Sequence, residues 1–142
     1  MKDNEVLEWF WIAEEDVRSA KLLEKDSNPP NSIIYYHCSQ AIEKYLKGFL
    51  VYNNKEYNRD HNLSTTIKKC IDCDNSFNEI MPECNKMSMS IKNLRYPRRI
   101  IPTKEDIKNA FNLIDKVTNL KPIHDLFNKL NNGSGNNLQS IP

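Results

Sequence analysis

The segment Leu94-Arg95-Tyr96-Pro97-Arg98-Arg99 carries the residue types best suited to hold an anion. An arginine guanidinium binds phosphate through two parallel hydrogen bonds, and a tyrosine ring offers a face on which a base can stack. The free N–H groups of a helix predicted to start at about residue 103 also favour an anion. The segment therefore predicts phosphate or base contacts. The alternatives are a solvated basic loop, or a structural role in which Arg95 pairs with the acidic first helix.

A second group of polar residues, Gln40, Glu43, Lys44 and Lys47, recurs every three or four positions. At that spacing the four side chains share one side of a helix. The ordinary interpretation is a solvent-facing stripe in which Glu43 and Lys47 form an i,i+4 ion pair. The competing interpretation is the wall of a cleft, where Lys44 and Lys47 contact phosphate oxygens.

His61 lies where a third helix is predicted to begin. It could cap that helix or form a hydrogen bond across the fold. It could also act as a catalytic base, but a base needs a positioned partner. The residues near it in sequence, Tyr57, Arg59 and Asp60, are unspecific candidates for that partner.

The charged residues are unevenly distributed although the net charge is only +1. Residues 1–30 hold 4 basic and 8 acidic side chains, whereas residues 92–142 hold 9 basic and 4 acidic ones. A nearly neutral protein with one concentrated basic segment is better suited to a localised anion than to coating a polyanion.

The composition excludes several classes of protein. The chain has three glycines, and only Gly48 falls within the first 130 residues. Because Walker loops and G-x-G-x-x-G loops need several positions without a Cβ, both are excluded, and a turn-rich β-sandwich is disfavoured. The longest apolar run, residues 9–13, is too short to span a bilayer, and the N-terminus lacks the features of a signal peptide. We therefore predict a soluble, cytoplasmic protein.

The four cysteines are predicted to stay reduced in that compartment. Cys70 and Cys73 form one C-x-x-C, but it falls inside a helical pattern, whereas a zinc site needs two such pairs on turns. We therefore expect buried helix cysteines, no bound metal and no cofactor.

The elements that must position these residues follow from apolar spacing and prolines. Steps of three and four predict helices over about residues 3–26 and 31–53, the second placed centrally, and a third after residue 60. Pro82 must interrupt the next helical pattern or start a fresh helix. Thr103 and Asp106 predict a capped helix start, and a short amphipathic helix follows Pro122. The prediction is an all-α, up-and-down four-helix bundle with a short extra C-terminal helix over residues 1–130, followed by a disordered tail at 131–142.

Four motifs together resemble a HEPN domain, in order and in spacing, over about residues 6–120. They are Trp11-x-Ala13-x-x-Asp16-x-x-x-Ala20, Cys38-Ser39-Gln40-Ala41-Ile42-Glu43-Lys44-x-Leu46-Lys47, His61-Asn62-Leu63 and Arg95-Tyr96-Pro97. The resemblance implies a helical bundle that dimerises and is often encoded beside a minimal nucleotidyltransferase. It also implies nucleotide binding. Active branches of the family are metal-independent ribonucleases of toxin–antitoxin and defence systems, which share an Arg-x(4–6)-His motif. Here Arg95 is followed by no histidine at that spacing, and the only later one is His124.

The leading prediction is thus a non-catalytic HEPN protein that binds a nucleotide or RNA and acts as a homodimer with a nucleotidyltransferase partner. One alternative is a ribonuclease with a non-standard site that uses His61 and Arg95. Another is a pure interaction protein with an apolar face near Trp9 and Trp11, one of which is expected to be exposed or in an interface. The residues predicted to contact phosphate or base are Lys44, Lys47, His61, Arg95, Tyr96 and Arg98.

Overall fold

The computed structural model describes residues 2–133, which fold into six α-helices and one 3-10 helix, with no strand in that range. The helices are α1 (Lys2–Glu24), α2 (Asn31–Tyr52), α3 (Leu63–Cys73), the 3-10 helix (Asn75–Ile80), α4 (Met81–Asn93), α5 (Lys104–Asn119) and α6 (Lys121–Gly133). The predicted all-α class is confirmed.

Helix α2 lies at the centre of the bundle, as its broad apolar stripe predicts. It contacts α1, α3, α4, α5 and α6, and α1 is its most extensive neighbour. The two helices approach closely at Gly48, where an added Cβ would lie 2.8 Å from the Phe10 ring. Phe10 is fully buried and stacks on Phe127 of α6, with ring centroids 4.4 Å apart. The absence of a side chain at Gly48 therefore sets the spacing of the central pair.

Local sequence signals set the helix boundaries. The Asn62 side chain accepts a hydrogen bond from the Thr65 backbone N–H and caps α3. Pro82 lies in the first turn of α4, so it starts a fresh helix rather than interrupting one. Thr103 and Asp106 form a reciprocal capping box at the start of α5, as predicted.

The two tryptophans of α1 are both half-buried, so neither is fully exposed, and the other half of the expectation, a place in an interface, stays a prediction. Trp9 packs edge-on against Tyr57, with ring centroids 5.1 Å apart. The indole N–H of Trp11 is buried without a hydrogen-bond partner. Trp9 therefore covers an edge of the bundle.

Helix α6 continues to Gly133, so residues 131–133 of the predicted tail are helical; the rest of that tail lies outside the described residues. None of the helices in residues 2–133 is both long and apolar enough to cross a membrane. All four cysteines are free thiols, and Cys38, Cys70 and Cys84 are buried. Over the same residues no cluster of three or more His, Cys, Asp or Glu side chains could hold a metal ion.

Candidate functional site

A network of charged and polar side chains is buried between α2 and the segment that precedes α3. At its centre is Glu43, whose carboxylate lies 2.6 Å from Lys47 Nζ and 3.2 Å from His61 Nδ1. Gln40 Nε2 donates to the same carboxylate at 3.2 Å. The Glu43 and Lys47 side chains are only 4% and 5% exposed. Burial at this level requires that each charge be compensated inside the protein, and the pair does so.

The ammonium group of Lys47 has further internal partners. It donates to the Asp60 carbonyl oxygen at 3.4 Å. It also faces the rings of Trp9 and Tyr57, at 5.8 and 5.5 Å from their centroids, which is within the range of cation–π attraction. Lys47 thus ties α2 to α1 and to the segment before α3.

The polar stripe of α2 is therefore not the solvent-facing surface that its periodicity favoured. Gln40, Glu43 and Lys47 are buried, because α1 and the segment before α3 cover that side of the helix. Lys44 remains partly accessible, but its Nζ lies 2.5 Å from Asp16 of α1. The second carboxylate oxygen of Asp16 is 2.9 Å from His37 Nδ1. Both lysines predicted to contact phosphate are thus already paired with carboxylates.

His61 lies at the open edge of the buried network, with 48% of its side chain exposed. Asn62 caps α3, and His61 instead forms the hydrogen bond across the fold. Because Nδ1 contacts Glu43, Nε2 is the ring nitrogen left for a ligand or for proton transfer. A carboxylate that fixes the orientation of an imidazole is the arrangement that acid–base chemistry uses. Sequence reasoning missed Glu43 as the partner because it lies 18 positions away.

The arginine segment, which we define as residues 94–99, follows α4 directly and is joined to α5 by residues 100–103. Arg95, Tyr96 and Arg98 are exposed, Tyr96 by 67%. Within residues 2–133 no ion pair, hydrogen bond or ring contact engages their side chains, so the proposed pairing of Arg95 with α1 is not observed. Arg98 adopts a φ of 63°, a left-handed conformation that is unfavourable for residues with a Cβ.

The arginine segment and the buried network occupy different parts of the bundle. The segment leads to Pro102, whose carbonyl oxygen accepts a hydrogen bond from Asn31 at the start of α2, at 3.0 Å. Glu43 lies about 18 Å farther along the axis of α2, at a rise of about 1.5 Å per residue. In the described part of the chain no hydrogen bond or ion pair joins the segment to Lys44, Lys47 or His61.

A comparison with models of protein families identifies the family to which the chain belongs. The model of the HEPN domain matches residues 6–124, which include both the buried network and the arginine segment. The chain belongs to the HEPN family. No curated protein and no solved structure matches this HEPN chain. The resemblance carried by the four sequence motifs is thereby confirmed at the level of the family.

The six predicted contact residues of the HEPN domain thus separate into two sets. Lys44 and Lys47 compensate carboxylates, and His61 borders their network. Arg95, Tyr96 and Arg98 form an exposed cationic and aromatic surface whose hydrogen-bonding capacity is unused by the residues described. The second set is the one that can bind an external anion without first losing an internal partner.

Proposed function

We propose that this HEPN protein is a non-catalytic nucleotide- or RNA-binding module whose phosphate contacts come from the arginine segment. The observation that most supports this proposal is the difference in ion pairing between the lysines of α2 and the arginines of the arginine segment. The cations of α2 contact carboxylates at 2.5–2.6 Å, whereas Arg95 and Arg98 are exposed and unpaired within residues 2–133. An unpaired guanidinium next to an exposed tyrosine supports recognition of a phosphate with an adjoining base.

The finer part of the proposal comes from the family. We infer that the protein acts as a homodimer, together with a minimal nucleotidyltransferase, in a toxin–antitoxin or defence setting. The absence of a histidine five to seven positions after Arg95, where the Arg-x(4–6)-His motif would place it, supports a role without catalysis. Sedimentation analysis of the purified protein, alone and mixed with a minimal nucleotidyltransferase, tests both associations. If the protein is a monomer and does not bind the nucleotidyltransferase, both inferred associations are wrong.

The binding proposal is tested by fluorescence anisotropy with a labelled single-stranded RNA, and by calorimetry with nucleotides. Arg95→Glu and Arg98→Glu should weaken binding, and the removal of each phosphate contact should reduce the slope of log K against log salt by about 0.7. Arg18→Glu, an equal charge change at an exposed position of α1, is the matched control. Its affinity should stay close to that of the original protein.

Stability must be measured alongside affinity. Since the side chains of Arg95 and Arg98 have no internal partner among residues 2–133, each substitution should change the free energy of unfolding by no more than about 0.5 kcal/mol. Unchanged affinity in both variants would contradict the proposal. So would weaker binding that merely follows loss of the fold.

A second candidate function is metal-independent RNA cleavage, and one observation favours it. The contact between His61 Nδ1 and the buried Glu43 at 3.2 Å supplies the positioned partner that a base needs. RNA cleavage in the presence of a chelator, lost in His61→Ala and retained in His124→Ala, would establish this function. No cleavage by the original protein would exclude it.

A further inference from the structure

A polar groove lies between α4 and α5, next to the arginine segment. It consists of two cavities of about 110 and 140 Å³ that share Tyr35, Ser90 and Asp106 as lining residues. Asn93 and Ile100 line the smaller cavity. Because these two residues immediately precede and follow the arginine segment, both ends of the segment lie at the groove, and we call the segment the rim of the groove; residues 94–99 themselves do not line either cavity.

The groove brings together hydrogen-bonding groups of both kinds. Tyr35 projects from α2 and is 7% exposed, yet it lines both cavities. Burial raises the pKa of the Tyr35 hydroxyl, the neighbouring Ser90 side chain lowers it, and the negative charge of Asp106 raises it. The Tyr35 hydroxyl therefore stays protonated at neutral pH and can donate. The Ser90 hydroxyl itself donates to the Lys86 carbonyl oxygen at 3.1 Å. Asp106 uses Oδ2 to accept from the Thr103 backbone N–H at 2.8 Å, which leaves Oδ1 as an acceptor.

The smaller cavity and the arginine segment carry charges of opposite sign. Of the residues described, Asp106 is the one charged residue that lines the smaller cavity, and Glu83 and Lys86 line the larger one with it. Glu83 is paired with Lys116 at 2.9 Å, whereas the arginines at the rim have no partner within residues 2–133. A phosphate is therefore disfavoured next to Asp106 and favoured at the arginine segment. An uncharged group with donors and acceptors suits the interior, where Ile100 and Pro102 add apolar contacts.

We propose that this groove holds the base and ribose of a single nucleotide while the arginine segment holds its phosphate. The inference rests on the proposed binding function and adds to it the pocket and the size of the ligand. We assign one nucleoside to the two cavities, so the ligand in this proposal is a nucleoside monophosphate or one unstacked nucleotide of a single-stranded RNA. In this proposal Tyr35 and Ser90 contact the base rather than the ribose, and Tyr96 of the arginine segment stacks on a neighbouring base.

Two pairs of variants test the pocket on the full chain. Tyr35→Phe removes one hydroxyl and keeps the buried ring, and Tyr36→Phe makes the same change at an exposed neighbour that does not line the groove. Ser90→Leu adds volume where the two cavities meet, and Met89→Leu is its exposed control. The probes are the four nucleoside 5′-monophosphates, ribose 5-phosphate and a labelled single-stranded RNA.

We expect at least one nucleoside monophosphate to bind more tightly than ribose 5-phosphate. Tyr35→Phe should raise its Kd by about fivefold, the loss of one ordinary hydrogen bond, and leave ribose 5-phosphate unaffected. Ser90→Leu should abolish the advantage of the base, and the two controls should not. If only RNA binds and shows the same sensitivities, the ligand is a nucleotide within a strand.

The failure of this inference is distinguishable from failure of the binding proposal. The proposal that the groove binds the nucleoside is refuted by either of two results. One is equal affinity for ribose 5-phosphate and every nucleoside monophosphate, and the other is RNA affinity that is unchanged in both groove variants. In that case loss of binding in Arg95→Glu still supports the arginine segment. If Arg95→Glu changes nothing, the phosphate site is overturned instead, and if no probe binds, both proposals fall.

Discussion

The buried pair Glu43–Lys47 offers a test of whether Lys47 stabilises the fold or binds a ligand. Lys47→Met keeps the length of the side chain and removes its charge, which leaves the Glu43 carboxylate with 4% exposure and no ammonium partner. Removing one member of a buried pair costs about 3–5 kcal/mol, because the remaining charge is uncompensated. In a domain of this size we expect the unfolding midpoint to fall by about 10–15 °C.

Two further variants distinguish the loss of the ion pair itself from the cost of leaving a buried charge without a partner. In the double variant Glu43→Gln/Lys47→Met no buried charge is left unpaired, so at least half of the lost stability should return. Lys121→Met breaks a pair with the same i,i+4 spacing, Lys121–Asp125, in which the two side chains are 84% and 57% exposed. Solvent screens an exposed pair, so the unfolding midpoint of Lys121→Met should move by no more than about 3 °C.

The assay is thermal unfolding followed by circular dichroism, with RNA and nucleotide affinity measured on the same samples. Our account predicts a large loss of stability in Lys47→Met and an unchanged affinity of the molecules that remain folded. If Lys47→Met were as stable as Lys121→Met but bound nucleotide more weakly, Lys47 would be a ligand contact and the argument from burial would be wrong.

Three further expectations concern the fold. Gly48→Ala should lower the free energy of unfolding by about 1–2 kcal/mol in urea titrations, because overpacking against the immobile Phe10 ring exceeds the gain in helix propensity; an increase would contradict this. Thr103→Ala should cost about 1 kcal/mol in the same assay, and Thr103→Ser, which keeps the cap, should cost less. Burial raises the pKa of Cys38 from 9.0 to about 12. The contribution of the protonated Cys38 thiol to stability is thus complete below about pH 9 and is lost towards pH 12, because the thiol of the unfolded chain ionises first. Cys38→Ala should therefore lose less free energy of unfolding than the original protein between about pH 8 and about pH 10.

The helices and their ends could be predicted because their causes are local. Apolar spacing along one segment places α2 and α5, and the capping box of Thr103 and Asp106 needs only residues three positions apart. The start of α4 depends on Pro82, whose ring is tolerated only in the first turn of a helix. Membership of the HEPN family followed from motifs along the chain for the same reason.

The surroundings of each helix face depended on tertiary structure. A polar stripe at helical spacing has the same pattern whether it faces water or a neighbouring segment, so the sequence left the burial of Glu43 and Lys47 open. The partner of His61 lies 18 positions away, and the lysines pair with carboxylates on their own helix and on α1.

The sequence by itself determined an all-α HEPN fold and a segment of arginines and tyrosine suited to contact an anion. Side-chain chemistry and periodicity are properties of the chain, so both can be read without the tertiary structure. The packing of α1 and of the segment before α3 against α2 decided which cations form internal ion pairs. The packing of α2, α4 and α5 created the groove around Tyr35, Ser90 and Asp106, three residues distant in sequence. Compensation of charge and the shape of a cavity are properties of several elements at once, and no single stretch of sequence contains them.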